Sequence, residues 1–482
     1  MKKTTKSSYK SFNLFKKRNK KIIKQTIFFV MSLLLIISFI NHNLVKAQGK
    51  TTHETGLEKL ELVRVTKDQK RITLRLKGTG KNGPIMNLKK YDFQIKLIDT
   101  NANSLVAPDE EKSYSNIKFR WKSPQDTVPD DAYIIVLFDM SGSMQCSTDL
   151  NRKGNCNKVP KGQRKYDAAI DTLKNFVEEA KTWKGKTQVS IVPFGNRVKT
   201  GNCNFSEPFV NVSPDNLNDF QNVESTELTK FLNTDLSNKT PCTATNIYES
   251  LYKSVEFLTN DSDERFYPVN REGEPTDNQP RLSIILFTDG FDTDTFNKDE
   301  TIARGKQQQQ IDKIATLLKK NPQLAIHTLG YGLTPKQLGQ KYGLGRAVNW
   351  NKDIDWGNDK TKLIPRVEYL DEQAINNISS LTNGISRIAG NSKEITESLK
   401  LFLQAILGEY EIIYKHPNPQ RGRVYQVISS VNPVESNSKE YRFTVIGITA
   451  PPNIVAGAFG ISIIFIGSWF IVYFLWRKEL QS

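Results

Sequence analysis

Cysteine and histidine are scarce in this chain: among 482 residues each occurs four times. No two cysteines stand in a CxxC spacing, and His42, His53, His327 and His416 lie apart from them, which disfavours a zinc site. No GxSxG elbow is present, which argues against a serine hydrolase. Acidic residues are missing from the first 47 positions, which hold 11 of the 68 Lys and Arg; beyond them 57 basic residues face 51 acidic ones. The formal charge of +17 is therefore concentrated in a leader, and the body offers no excess that a nucleic-acid groove would need. Apolar runs of membrane-spanning length are limited to one, which excludes a polytopic transporter. With 38% hydrophobic and 10% aromatic residues, wholesale disorder is excluded as well.

What is present has a clear order. Residues 1–47 run from a Lys-rich stretch through an apolar segment at 27–40 to Val45, Lys46 and Ala47, the pattern of an export signal or an uncleaved N-terminal anchor. Residues 454–476 carry no charge and are followed by Arg477 and Lys478, which predicts a transmembrane helix with residues 477–482 as a cytoplasmic tail. The expected localisation is therefore the cell membrane, single-pass, with the bulk of the chain extracytoplasmic. In an oxidising compartment Cys146, Cys156, Cys203 and Cys242 are expected to form two disulfides. Sequence leaves the connectivity open among three pairings, of which Cys146 with Cys156 and Cys203 with Cys242 keeps the bridges local.

Between the two membrane signals the pattern changes twice. Residues 57–125 alternate with period two, as in Ile72, Leu74 and Leu76 against Arg71, Thr73 and Arg75, and predict antiparallel strands. Residues 131–407 alternate strand-like and helix-like segments. Continuous apolar runs at 133–138, 188–194, 282–287 and 324–330 read as strands covered on both faces, and helices are expected at 246–258, 311–320, 371–381 and 392–407. Polar inserts fall at 147–163, 199–239, 261–280 and 343–366. Residues 408–449 return to period two. The expected fold class is α/β: a doubly wound, mostly parallel, Rossmann-like sheet inserted into or flanked by a β-sandwich, plus a C-terminal transmembrane helix. Both flanks are expected to meet, because neither buries a two-sheet core alone.

Three loops at the C-terminal ends of the expected parallel strands carry the interesting chemistry. One holds Asp139, Ser141 and Ser143 in a DxSxS pattern, the second Thr245 before a helix, and the third Asp289 after Thr288. Two carboxylates and three hydroxyls, all oxygen, suit a hard cation: Mg²⁺, or Ca²⁺ or Mn²⁺ in its place. Singly, each residue is an ordinary cap or turn residue; the ordered set is what points to a site. Asp292 and Asp294 read as solvated loop carboxylates.

In these five positions the sequence resembles the von Willebrand factor type A family of metal-dependent adhesion domains, in its bacterial membrane-anchored form. The resemblance implies a metal site at Asp139, Ser141, Ser143, Thr245 and Asp289, no catalytic residues, and divalent-cation-dependent adhesion to a protein partner presenting Asp or Glu. It implies neither a nucleic-acid partner nor a small-molecule substrate. An enzyme is the rival class, but a haloacid-dehalogenase phosphatase would carry an acid where Ser141 stands. The alternative to adhesion is a metal-independent structural or assembly component of the envelope, which chelator sensitivity of partner binding would separate.

Overall fold

The computed structural model describes residues 56–100, 112–114, 117–151, 159–195, 212–271, 273, 276, 279–357, 359, 361–382, 384–420, 422–443 and 452–479. The leader expected at 1–47 lies outside the described residues.

Strands β1 (Leu57–Asp68) and β2 (Arg71–Gly80) form an antiparallel hairpin. β3 (Phe93–Thr100), β4 (Lys112–Tyr114) and β5 (Phe119–Lys122) follow. The α/β region opens with β6 (Ala132–Asp139) and continues through α1 (Lys165–Lys181), β7 (Thr187–Phe194), the short β8 (Gln221–Asn222), α2 (Ile247–Leu258), β9 (Arg281–Thr288), α3 (Glu300–Leu318), β10 (Ala325–Tyr331), α4 (Glu372–Ser380), β11 (Ser386–Ala389) and α5 (Ser392–Leu407). β12 (Tyr410–Lys415), β13 (Val424–Val431), β14 (Val434–Glu435), β15 (Lys439–Arg442) and α6 (Pro452–Glu479) complete the chain.

The central sheet has the order β11-β10-β9-β6-β7-β8 and is parallel except for β8. Its middle strands are apolar throughout because both faces are covered: β6 reads AYIIVLFD, with Ile134 to Phe138 fully buried. α1 and α5 share one buried cluster with Ile134, Val136 and Phe138, while α2 and α3 share the opposite one with Ile135 and Leu137. The winding reverses between β6 and β9, which are hydrogen-bonded neighbours, so a crevice opens at their carboxyl ends.

The flanking strands behave differently. β2 alternates, burying Ile72, Leu74 and Leu76 while Arg71, Thr73 and Arg75 face outward. β12, from after the α/β region, inserts between β2 and β5, and β13 pairs with β3 along eight residue pairs. Two sheets, β1-β2-β12-β5 and β14-β13-β3-β4, thus combine strands from both sides of the α/β region and bury one shared core that includes Leu74, Leu97, Tyr410, Ile412 and Val427. The result is a mixed parallel and antiparallel α/β fold with flanking sheets.

An almost dry charge cluster ties the flanking sheets to the α/β region. Asp130 accepts from Arg64 and Arg281, and Arg281 reaches Glu409 at 2.5 Å. Lys77 donates to the carbonyls of Ala405 and Ile406, at 2.8 and 3.0 Å, in the last turn of α5, where a cation complements the exposed carbonyls. Burial pulls the Lys77 ammonium down to about 8, against the opposing pull of Glu409.

Three local expectations are corrected. α3 begins at Glu300, not 311: its first turns bury only Ala303 and Gln307, too little to make an apolar stripe, and the start is fixed by the Asp299 side chain, which accepts from the amides of Thr301 and Ile302. The insert at 343–366 is not merely polar, because Trp350 and Trp356 pack at 4.5 Å and bury against Phe291 and Phe296. Asp292 is not solvated. It is 1% exposed and accepts from the Tyr248 amide in the first turn of α2 and from the amide and hydroxyl of Thr295.

α6 contains a stretch, Phe459–Arg477, long and apolar enough to cross a membrane. Its large side chains, among them Phe465, Trp469 and Trp476, are exposed, as a lipid-facing helix requires.

Candidate functional site

The site forms where β6 and β9 end. Asp139 is the last residue of β6, Ser141 and Ser143 lie on the turn that follows, and Asp289 comes directly after β9. The first loop is stitched to the segment before α2: the Gly142 amide donates to the Thr243 carbonyl and the Thr243 amide to the Met140 carbonyl, both at 3.0 Å. Gly195, just beyond β7, permits this approach, since a Cβ there would come within 1.8 Å of Thr243 Oγ1. The third loop is held to the second by Thr293, whose amide and hydroxyl both donate to the Thr245 carbonyl at 2.7 Å.

Four of the five residues expected from sequence come together in one hydrogen-bond network. Ser143 Oγ donates to Asp289 Oδ1 at 2.6 Å, Ser141 Oγ reaches the same oxygen at 3.3 Å, and the two serine hydroxyls lie 2.9 Å apart. Asp139 Oδ1 accepts from the Ser141 amide at 2.7 Å, and its Oδ2 accepts from Thr288 Oγ1 at 2.6 Å. Thr245 faces the same space without joining the network: a Cβ on Gly290 would lie 3.8 Å from Ser143 Oγ and 3.9 Å from Thr245 Oγ1.

Lys165, in the first turn of α1, is the member that the sequence reading missed. Its ammonium donates to Asp289 Oδ2 at 2.9 Å, with the lysine side chain 5% exposed and the aspartate side chain 0%. A lysine near a helix start is unfavourable with respect to the helix dipole and is usually solvated. The signal was there in the period: Lys165, Ala169, Thr172 and Phe176 are all buried, at i, i+4, i+7 and i+11. Thr288, the partner of Asp139, was also overlooked as a plain strand residue.

This arrangement corrects the metal expectation. Among the described residues there is no group of three or more His, Cys, Asp or Glu that could hold a metal ion. The physical reason lies in the network. All four carboxylate oxygens of Asp139 and Asp289 accept protein hydrogen bonds, and the charge of Asp289 is neutralised by an internal ammonium rather than a divalent cation. Mg²⁺, and Ca²⁺ or Mn²⁺ in its place, are therefore withdrawn as cofactors. The second carboxylate is held far above its ordinary range: burial, with the repulsion of Asp289, pushes the Asp139 carboxyl up to about 7. Burial likewise raises Asp292 to about 6.

The disulfide expectation is cut back to what the described residues carry. No bridge joins two described residues, so neither Cys146–Cys156 nor Cys203–Cys242 is shown. The described cysteines, Cys146 and Cys242, are not free thiols, and Cys156 and Cys203 lie outside the described residues.

His327 and His416 have structural surroundings. His327 accepts from the Ile385 amide and stacks on Phe402 at 5.0 Å, and burial lowers it to about 3. His416 accepts from the Asn418 amide and packs 4.2 Å from Tyr425, and burial lowers it to about 4.

No family model matches the chain, and no curated protein matches it. Membership of the von Willebrand factor type A family is thus not shown. Among solved structures the chain is distantly similar to an aerotolerance-related membrane protein from Bacteroides fragilis NCTC 9343, with 13% identity, a TM-score of 0.29, and coverage of 57% of this chain and 98% of that one. It is also similar to a carbohydrate esterase whose active site displays divergent catalytic and non-catalytic binding functions, with 10% identity, a TM-score of 0.22, and coverage of 72% and 97%. Likenesses at this level carry no functional argument for this chain.

Proposed function

We propose that this chain is a membrane-anchored structural or assembly component of the envelope, which presents the loop face of its α/β region to a protein partner without a divalent cation. The observation that supports this reading is the buried Lys165–Asp289 pair, which makes the strand-end loops a self-satisfied unit. Such a closed network rigidifies the loops around it, so that their outer surfaces form a fixed binding face.

The anchor is α6. Arg477, at the end of its apolar stretch, and Lys478 beyond it favour a cytoplasmic C-terminus and an extracytoplasmic body. A binding role is favoured over catalysis because the two described histidines are engaged in packing and in accepting backbone hydrogen bonds, away from the network. The acidic partner residue that a metal would recruit loses its rationale, since Lys165 is already paired within the chain.

The test is affinity capture with the detergent-solubilised full-length chain, in Mg²⁺ and in EDTA. The same partner, retained to the same extent in both, is the expected result. Loss of the partner in EDTA would overturn the reading.

A further inference from the structure

We propose that the groove at the end of the β2-β12-β5 face is a docking surface for anionic phospholipid headgroups of the membrane that carries α6. The groove is lined by Lys70, Arg71, Lys118, Arg120 and Lys415, with Asp68 as its carboxylate. All five cations are exposed, and among the described residues none is ion-paired with an acid.

The register shows that this charge is not accidental surface composition. On β12, Glu411, Ile413 and Lys415 alternate with the buried Ile412 and Tyr414 and so share the outward face. At Glu411 the cross-strand neighbours are Arg75 and Lys122, and Glu411 bridges both, at 2.9 and 2.7 Å. Four residues along the same face, Lys415 stands directly opposite Arg71, a like-charge pair that destabilises a sheet. One row of the sheet is neutralised internally, whereas Arg120 in the next row, opposite Ile413, and the Arg71–Lys415 row beyond it are left to an outside anion. The partly buried Ile413 gives the groove an apolar floor, which suits a headgroup with its glycerol backbone.

The chain's own connections bring this end of the sheets close in sequence to α6. His416 donates its amide to the Lys70 carbonyl at 2.9 Å, and its ring lies 5.2 Å from Phe443. Lys67 donates to the Arg442 carbonyl at 2.7 Å and sits over the Phe443 ring. Phe443 is nine residues before Pro452, where α6 begins, so covalent geometry limits the separation to about 32 Å even for a fully extended link. A basic groove tethered that closely meets headgroups at high effective concentration, and the attraction is strong only within a Debye length.

The test uses the full-length chain in nanodiscs of phosphatidylcholine, with and without a third of the lipid replaced by phosphatidylglycerol. Amide hydrogen exchange is followed at residues 66–73, 117–122 and 411–417. Exchange at these segments is expected to slow severalfold on the anionic discs, to return to the phosphatidylcholine rate in high salt, and to lose its lipid dependence in a Lys70→Gln, Lys415→Gln variant. These two side chains are exposed, and an unchanged melting curve verifies that the variant is folded. Equal exchange on both discs would overturn the proposal. So would protection that survives the double substitution, or protection produced by added polyglutamate and not by phosphatidylglycerol, which would make the occupant an acidic protein.

Discussion

Lys165 Nζ stands 2.9 Å from Asp289 Oδ2 although 124 residues separate them, and both side chains are withdrawn from solvent. The pair links the first turn of α1 to the loop after β9, across the point where the sheet reverses its winding. A buried ion pair is not by itself a source of stability, but breaking one leaves a charge stranded.

Replacing Lys165 with Met should therefore lower stability by about 3–5 kcal/mol, because the buried Asp289 is then left with only the serine hydroxyls as donors. Adding Asp289→Asn to that variant should recover most of the loss. Thermal melts of the four full-length proteins of this double-mutant cycle measure the coupling, and additive losses would mean that the two residues act independently.

Asp139 should make stability depend on pH. Its carboxyl is raised in the folded chain from 3.8 to about 7, so between those values the folded state binds more protons than the unfolded one. The stability it contributes is full below the unfolded value and is lost as pH rises through the folded one. Asp292 acts in the same direction, while His327 and His416, both lowered, act in the opposite one. The difference between proteins isolates the group: an Asp139→Asn variant should gain melting temperature relative to wild type as pH rises from about 4 to about 7. A constant difference across that range would show that Asp139 does not titrate there.

Arg281 bridges Asp130 at 3.0 Å and Glu409 at 2.5 Å, and so joins β9 to the flanking sheets. Arg281→Met should cost about 3–5 kcal/mol, since the nearly buried Glu409 is then left with Lys77, 4.0 Å away. Hydrogen exchange in β2 and β12 should quicken along with that in β9. Exchange that quickens in β9 alone would show that the cluster does not couple the layers.

Gly195→Ala should destabilise the loop face by about 1–3 kcal/mol, because the new methyl group meets the Thr243 side chain. Thr243→Gly in the same chain should recover part of that loss. No recovery would place the strain elsewhere.

The middle of the fold was legible because covered parallel strands leave a plain trace. The apolar runs at 133–138, 188–194 and 282–287 each fall within one observed strand, β6, β7 and β9. The meeting of the flanks was legible from their shortage of core, and β12 does sit between β2 and β5. What escaped was carried by single side chains whose role depends on distant partners. Asp139, Ser141, Ser143 and Asp289 were brought together as expected, but nothing local to Lys165 announces that its ammonium reaches Asp289. The oxygen-rich loops therefore suggested a metal where the chain supplies its own cation. Trp350 and Trp356 were lost in a polar insert because two aromatics six residues apart make no period. The start of α3 was missed because the buried face of its first turns carries only Ala303 and Gln307, which make no apolar stripe to read.

The most direct test of the central claim is calorimetric titration of the full-length chain, in detergent, with Mg²⁺ after treatment with EDTA. A site closed by Lys165 should give no saturable heat, and the melting temperature should be the same in Mg²⁺ and in EDTA. Saturable binding that disappears in Asp139→Ala would contradict it.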